Sequence, residues 1–235
     1  MFNQRTYSKN KHIKFPKKQK DLAELFGIIA GDGYINYYPK KYSSICEIVG
    51  DSRLEKDYLG IYLHNKIKKL FNIFPKIYVK KNQNAMCLSI HNKPIIFFIN
   101  KNGFPYGKKS DIKIPNWILE NKSYMKRFIR GLFDTDGSLA IKKRYRIKPY
   151  YPVISISSKN KYPLYQVYDF LKNKLKINFI KESRRAFKND PRIFVLYRLQ
   201  SSGFENTIKW FKLIKPSNKK HIDKFIKHVD SYIYK

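Results

Sequence analysis

The sequence predicts an α+β protein made of two similar halves, each with the element order α-β-β-α-β-β-α. Two observations lead to this prediction. The stretch LFGIIAGDG, residues 25–33, is echoed by IRGLFDTDG, residues 129–137, which places Asp32 and Asp136 104 residues apart (136 − 32). Ile73 and Ile177, each just beyond a second helical stretch, share that offset. Self-similarity at a fixed offset is typical of a structural unit that is present twice.

Each half begins with an apolar helix that ends at the repeated motif. In the first half, Leu22, Leu25, Ile28 and Ile29 recur at helical spacing before Asp32. Strand-like stretches with polar and aromatic residues follow both motifs. The remaining predicted segments are helices over 53–71, 93–101, 160–175 and 203–214, and strand pairs over 75–90 and 177–199.

The glycines of the two motif helices predict that these helices pack against each other. A glycine inside a helix costs about 1 kcal/mol relative to alanine, so a compensating role is expected. Gly27 and Gly31 share one helix face, as do Gly131 and Thr135, and small residues on one face let two backbones approach closely. Asp32 and Asp136 would then meet at the end of that interface.

Two neighbouring carboxylates, each at the negative end of a helix dipole, repel unless they are protonated or bridged by cations. Mg²⁺ prefers one or two carboxylates together with waters and phosphate oxygens. This arrangement therefore favours metal-assisted phosphodiester hydrolysis. A helix that ends in Asp-Gly is common by itself, and the matched second copy gives the pattern its weight.

The charge of the chain indicates a polyanionic partner. The 50 lysines and arginines against 17 acids give a formal charge of +33. Nucleic acid is the leading partner, ahead of a basic surface without function or an anionic membrane. No apolar run approaches the roughly 20 residues needed to span a bilayer. Cys46 and Cys87 are isolated, which favours a reducing, intracellular setting. With DNA as the expected partner, we expect a DNA-containing compartment.

The two motifs resemble those of single-chain LAGLIDADG homing endonucleases, from about Asp21 onwards. The Lys-Ile-Pro step at 113–115 is also familiar from this family and its intein relatives. The resemblance implies two saddle-shaped, four-stranded antiparallel sheets that lie along DNA major grooves, in a monomer with internal pseudo-twofold symmetry. We expect a basic arm at 1–20, a first repeat with its connecting segment at 21–120, and a second repeat with a C-terminal helix at 121–235.

The resemblance also implies the site residues. Asp32 and Asp136 would bind Mg²⁺, for which Ca²⁺ or Mn²⁺ could substitute, with help from the backbone carbonyls of Gly31 and Thr135. A lysine from each half would join the catalytic water network: Lys113, with Lys109 in reserve, and Lys219 or Lys220. Polar residues are expected at the strand ends, where Gly50 or Asp51 and Ser158 or Lys159 stand. The sixth motif position departs from the pattern in the first copy, which has Ala30 where the second has Asp134.

Polar residues that alternate with apolar ones along the predicted strands are candidates for DNA contacts. A β-ribbon fits the major groove, and such side chains can reach base edges or phosphates. A solvated edge that discourages aggregation is the alternative interpretation. The candidates are Tyr34, Asn36, Tyr38, Lys40, Lys142, Arg144, Arg146, Ser155, Arg184, Arg198 and Gln200.

The leading functional hypothesis is a site-specific, divalent-metal-dependent DNA endonuclease that makes double-strand breaks at a long, partly palindromic target. An RNA maturase that assists intron splicing and a non-cleaving DNA-binding protein of the same fold are the alternatives. The two retained aspartates argue against both, because neither activity needs them.

Overall fold

Both predicted halves are present, and each contributes one four-stranded antiparallel sheet. The computed structural model describes residues 12–81, 83–109, 112–144, 147–185 and 195–233. The strand order is β1-β2-β4-β3 in the first sheet and β5-β6-β8-β7 in the second. The α+β class and the repeated αββαββα order are thus confirmed.

The first half follows the predicted order. Its elements are α1 (Lys20–Asp32), β1 (Gly33–Tyr38), β2 (Ser43–Asp51), α2 (His64–Phe71), β3 (Lys76–Val79), β4 (Ala85–Ile90) and α3 (Lys93–Lys101). A 3₁₀ turn, Pro39–Lys41, follows β1, and a π-helical segment, Tyr58–Leu63, precedes α2. A short helix, α4 (Asn116–Leu119), lies in the connecting segment.

The second half repeats this order and adds a helix. Its elements are α5 (Lys122–Asp136), β5 (Gly137–Arg144), β6 (Ile147–Ser158), α6 (Lys161–Phe170), β7 (Ile180–Arg185), β8 (Val195–Ser202), α7 (Phe204–Leu213) and α8 (Lys219–Ile233). A π-helical segment, Leu171–Leu175, continues α6. The two sheets begin in the same way, because Gly33 pairs with Ile48 and Gly137 pairs with Ile156.

Helices α1 and α5 pack together at backbone distance, as their glycines predict. A Cβ atom on Gly27 would lie 2.0 Å from the carbonyl oxygen of Phe128, and one on Gly131 would lie 2.2 Å from that of Glu24. These separations leave no room for any side chain. The two halves therefore meet through their helix backbones.

A buried ion cluster fixes the other end of this interface. Glu24 of α1 is fully buried, and its carboxylate pairs with Lys66 (3.2 Å), Arg127 (3.0 Å) and Arg130 (3.6 Å). Tyr62 donates a short hydrogen bond to the same carboxylate. Because removing the partners of a buried charge is strongly destabilising, this cluster sets the register of α1 against α5 and α2.

The helices that cover the sheets complete a single hydrophobic core. Trp210 of α7 is fully buried, and its ring meets Phe133 of α5 at 5.0 Å and Phe179 at 5.4 Å. On the first half, Phe26 of α1 meets Trp117 edge-on at 5.6 Å. In the described part of the chain, no helix combines the length and apolar character needed to cross a bilayer.

Candidate active site and nucleic-acid surface

The two motif aspartates lie at the point where the two helices end together. Asp32 is the last residue of α1 and Asp136 the last of α5. A Cβ atom on Gly31 would lie 2.0 Å from the hydroxyl oxygen of Thr135 and 3.4 Å from the carboxyl carbon of Asp136. Since β1 starts directly after Asp32 and β5 directly after Asp136, both sheets begin at this pair.

Burial and neighbouring negative charges make both carboxylates costly to ionise. Burial, followed by the negative charge of Asp32, raises the pKa of Asp136 to about 7. Burial, followed by the charge of Glu55, raises the pKa of Asp32. Lys109 and Lys220 act in the opposite direction on both acids. A pair of acids in this condition favours a bound cation.

Two lysines from distant segments satisfy the carbonyl ends of the motif helices. Neither helix has a basic residue in its last turn. Instead, the ammonium of Lys109 donates to the carbonyls of Ile29 (3.3 Å) and Ala30 (3.1 Å), and more closely to that of Gly31. The ammonium of Lys220 lies 3.5 Å from the carbonyl of Thr135 at the end of α5.

The second half holds Lys109 in place. Asn160, the N-cap residue of α6, is nearly buried, and its amide donates to the carbonyls of Lys109 (2.8 Å) and Ile112 (3.1 Å). Burial lowers the pKa of Lys109, while Asp136 and then Asp32 raise it. Its charge is therefore held close to the two acids.

The structure does not bring Lys113 and Lys219 to this site, so the prediction that these two lysines lie beside the aspartates is wrong. Lys113 lies over the ring of Tyr162, with its ammonium 5.7 Å from the ring centroid. Lys219 is exposed and pairs with Asp57 at 2.9 Å. The reserve candidate Lys109 and the alternative candidate Lys220 occupy the positions beside the aspartates.

Sequence reasoning missed Glu55, a buried acid in the same region. Its carboxylate accepts from the amide of Asn218 (2.7 Å) and the ammonium of Lys220 (2.7 Å). It also accepts from the backbone amide of Asp51 (2.9 Å). No motif marks Glu55, and its distance from Lys220 along the chain, 165 residues, hides the pair from a local pattern.

The sixth motif position has a structural role in the second half. Asp134 is fully buried and accepts from the backbone amides of Ser217 (3.0 Å) and Asn218 (3.2 Å), just before α8. Burial raises its pKa to about 7. Of the strand-end residues, Asp51 accepts from the amides of Arg53 and Leu54, and Ser158 accepts from the amide of Asn160.

The donor set at the motif ends fits a hard divalent cation bound with substrate, although no cage is formed by the protein alone. Within the described residues, no group of three or more histidine, cysteine or acidic side chains is placed to hold a metal ion. Asp32 and Asp136 would supply the acidic ligands, whereas the carbonyls of Gly31 and Thr135 already face lysine ammoniums. Mg²⁺ is usually bound in this way, with waters and phosphate oxygens in its remaining positions.

The second sheet gathers the predicted contact residues on one face. Register pairs Ser138 with Ser155, and Ser155 with Gln200, so these side chains share a face. Lys142 lies on the same face and is exposed, whereas Leu139 on the other face is buried. The guanidinium of Arg198 donates to the hydroxyl of Ser155 (3.1 Å). The side chains of Arg144 and Arg184, and the whole of Arg146, lie outside the described residues.

The first sheet presents a smaller polar face. The hydroxyls of Tyr34 and Tyr38 lie 2.8 Å apart, and Asn36 donates to Tyr34 at 2.8 Å. These three β1 side chains therefore form one hydrogen-bonded row. Lys40 does not belong to it, contrary to our prediction, because β1 ends at Tyr38 and Lys40 lies in the 3₁₀ turn that follows.

Comparisons with known proteins agree with this architecture. Residues 123–209 match the family model of the LAGLIDADG-like domain. The chain is 28% identical over 225 residues to the replication factor C small subunit of Methanocaldococcus jannaschii, an alignment that covers 90% of this chain and 12% of that protein. It is 30% identical over 148 residues to the tRNA-splicing ligase RtcB of the same organism, which covers 54% and 15%. The chain thus spans only a small part of these curated relatives.

Solved structures show the same fold over nearly the whole chain. The homing endonuclease I-DmoI in complex with DNA and Mn superposes with a TM-score of 0.55 at 22% identity, covering 84% of this chain and 97% of that one. The I-LtrWI LAGLIDADG homing endonuclease bound to target DNA gives 0.58 at 13% identity, with 92% and 91% covered. I-SmaMI bound to uncleaved DNA target in the presence of calcium ions gives 0.56 at 14% identity, with 88% and 89% covered.

The resemblance found in the two motifs is therefore confirmed. Residues 123–209 match the LAGLIDADG-like domain, and the chain as a whole has the fold of the solved homing endonucleases I-DmoI and I-LtrWI.

Proposed function

We propose that this protein is a site-specific DNA endonuclease that hydrolyses both strands of a long, partly palindromic target with the help of divalent metal ions, Mg²⁺ by preference. This proposal depends on one observation: Asp32 and Asp136 meet at the ends of α1 and α5, where both sheets begin. Related folds have been solved with DNA and with Mn, Ca or Mg, which supports the choice of substrate and ions.

The residues of the site divide the chemistry among them. Asp32 and Asp136 would hold the ions, and a bound divalent ion would supply an activated water and neutralise charge on the scissile phosphate. Lys109 and Lys220 place fixed positive charge beside the acids, where negative charge develops during phosphodiester hydrolysis. The polar sheet faces would hold the duplex so that the phosphate lies at the aspartate pair.

The DNA contacts of the two halves differ in side chain and in strand length. Strand β1 has six residues and β5 has eight. The faces of β1 and β5 would therefore read different sequences, with half-sites about one helical turn apart. This supports a target that is only partly palindromic, read by a monomer.

A plasmid cleavage assay with Asp136→Asn tests the proposal. The plasmid carries the host locus in its intronless form. Wild-type protein with Mg²⁺ should linearise the plasmid, and EDTA should prevent this. Asp136→Asn should slow linearisation at least about a thousandfold, because several kcal/mol of transition-state stabilisation are lost. Its DNA affinity should change by less than about 1 kcal/mol.

Asp169→Asn provides the matched control, since it removes the same charge from a side chain that is 64% exposed and whose ion-pair partner is Lys181, at 3.9 Å. This variant should cleave like wild type. A wild-type protein that bound structured RNA and left the plasmid intact in Mg²⁺ and in Mn²⁺ would contradict the proposal.

A further inference from the structure

Glu55 is a buried acid that connects the first half of the molecule to Lys220 of the second. It lies between β2 and the π-helical segment and is 6% exposed. One carboxylate oxygen accepts from the backbone amide of Asp51, and the other accepts from both Asn218 and Lys220. The side chain is therefore held on three sides, and the Lys220 ammonium is held by it.

The space for this carboxylate exists because the penultimate residue of β2 is a glycine. A Cβ atom on Gly50 would lie 2.8 Å from one carboxylate oxygen of Glu55. Any side chain at position 50 would displace that oxygen. The acid at Glu55 thus fills the region that a strand-end side chain would otherwise fill.

Glu55 makes the surroundings of the two lysines unequal. The Lys220 ammonium lies 3.5 Å from the carbonyl of Thr135 at the end of α5, and the Lys109 ammonium lies 3.1 Å from the carbonyl of Ala30 near the end of α1. Lys109 is held by backbone carbonyls, whereas Lys220 is held chiefly by a carboxylate.

We propose that Glu55 is a positioning residue for one of the two cleavage steps: it holds the Lys220 ammonium at the end of α5, and the DNA strand whose cleavage uses Lys220 is cut at a different rate from the strand whose cleavage uses Lys109. The inference rests on the proposed endonuclease function. It adds a residue and a strand order that the pseudo-twofold repeat alone does not predict.

A nicking assay on a duplex with a different label on each strand tests this directly. Wild-type protein should cut the two strands at different rates. Glu55→Gln keeps the size of the side chain and removes its charge, so Lys220 loses its ion pair. One strand should then be cut at least about tenfold more slowly, while the other changes by less than about twofold.

Asp57→Asn is the matched control, because Asp57 joins the same two segments through an exposed ion pair with Lys219 at 2.9 Å. It should leave both strand rates unchanged, since exposed pairs contribute little. Equal slowing of both strands by Glu55→Gln, or no slowing of either, would overturn the positioning role. A purely structural defect would slow both strands together.

A second measurement does not depend on cleavage, so failure of the nuclease proposal can be told apart from failure of this one. Limited acetylation, followed by mass spectrometry, reports the accessibility of each lysine. In Glu55→Gln the Lys220 amine should react several times faster than in wild type, while Lys109 stays unchanged. Unchanged reactivity of Lys220 would refute the inference even if DNA is never cut. If Glu55→Gln does not fold, Glu55→Asp, which withdraws the carboxylate by one methylene, should show the same selective increase.

Discussion

Single side chains in this protein are placed by partners far away in the sequence. Asp32 and Asp136 stand in the last turns of helices, where a cation is usually favoured. The cations come from Lys109 and Lys220, which lie 77 and 84 residues further along the chain (109 − 32 and 220 − 136). The repeated motif predicts the two acids because each copy lies within a few consecutive residues. The residues around Lys109 and Lys113 contain no comparable signal to distinguish the two lysines.

His221 gives a prediction at the scale of one residue. It lies beside Lys220, is 4% exposed, and packs against the ring of Phe133 in a tilted arrangement, with ring centroids 4.5 Å apart. Burial lowers its pKa to about 3, so the folded protein keeps the imidazole neutral where the unfolded chain takes up a proton. Its contribution to stability is therefore complete above about pH 6.5 and is lost as the pH falls towards 3.

Between pH 7.5 and 5.5, this histidine should reduce the free energy of unfolding by about 1 kcal/mol. His221→Gln should be less stable than wild type at pH 7.5, and the difference should narrow at pH 5.5. Urea unfolding at both pH values checks this, with exposed His12→Gln as the control. Buried Asp134 and Asp136 act in the opposite direction, so the difference between variant and wild type is the informative quantity. A constant difference would contradict the assignment.

At the scale of elements, the sequence predicts most of the molecule. The predicted helices over 93–101 and 203–214 agree with α3 and α7 to within one residue at each end, because both are amphipathic and bounded by turn residues. The segments that escaped prediction have weaker periodicity: the 3₁₀ turn at Pro39–Lys41 and the short α4. Lys40 was misplaced for this reason.

The contact between α1 and α5 is the element-level feature that the glycines predict best, and it can be tested by adding one methyl group. Gly131→Ala would place its Cβ atom 2.2 Å from the backbone oxygen of Glu24, which cannot move away as a flexible side chain could. We expect the free energy of unfolding to fall by about 3 kcal/mol, at the upper end of overpacking effects.

Gly60→Ala is the control for this substitution. Its new Cβ atom would have 3.4 Å to the Met86 methyl group, which is an ordinary contact. Helix propensity favours alanine by about 1 kcal/mol, so this variant should be as stable as wild type or slightly more so. Equal urea midpoints for the two variants would show that α1 and α5 do not pack as closely as described.

The whole molecule carries a net charge of +33, and each of its two sheets has a polar face. The repeat brings both faces to the aspartate pair, so a polyanion bound along the sheets would neutralise the charge that burdens the free protein. Some of the acids are held in buried ion pairs: Glu24 pairs with Lys66, and Glu55 pairs with Lys220. Composition alone indicates a polyanionic partner, but the sheet register is needed to predict which face of each sheet that partner would contact.

Salt dependence tests this whole-molecule property. If six to ten phosphates are neutralised, affinity for DNA should fall by about 10³–10⁵-fold between 50 and 200 mM salt. Lys142 lies on the polar face of β5 and is exposed, so Lys142→Gln should reduce the slope of log affinity against log salt by about 0.9. Lys122 lies at the other end of α5 from Asp136. Lys122→Gln should leave the slope unchanged, and equal slopes for the two variants would place the DNA on a different surface.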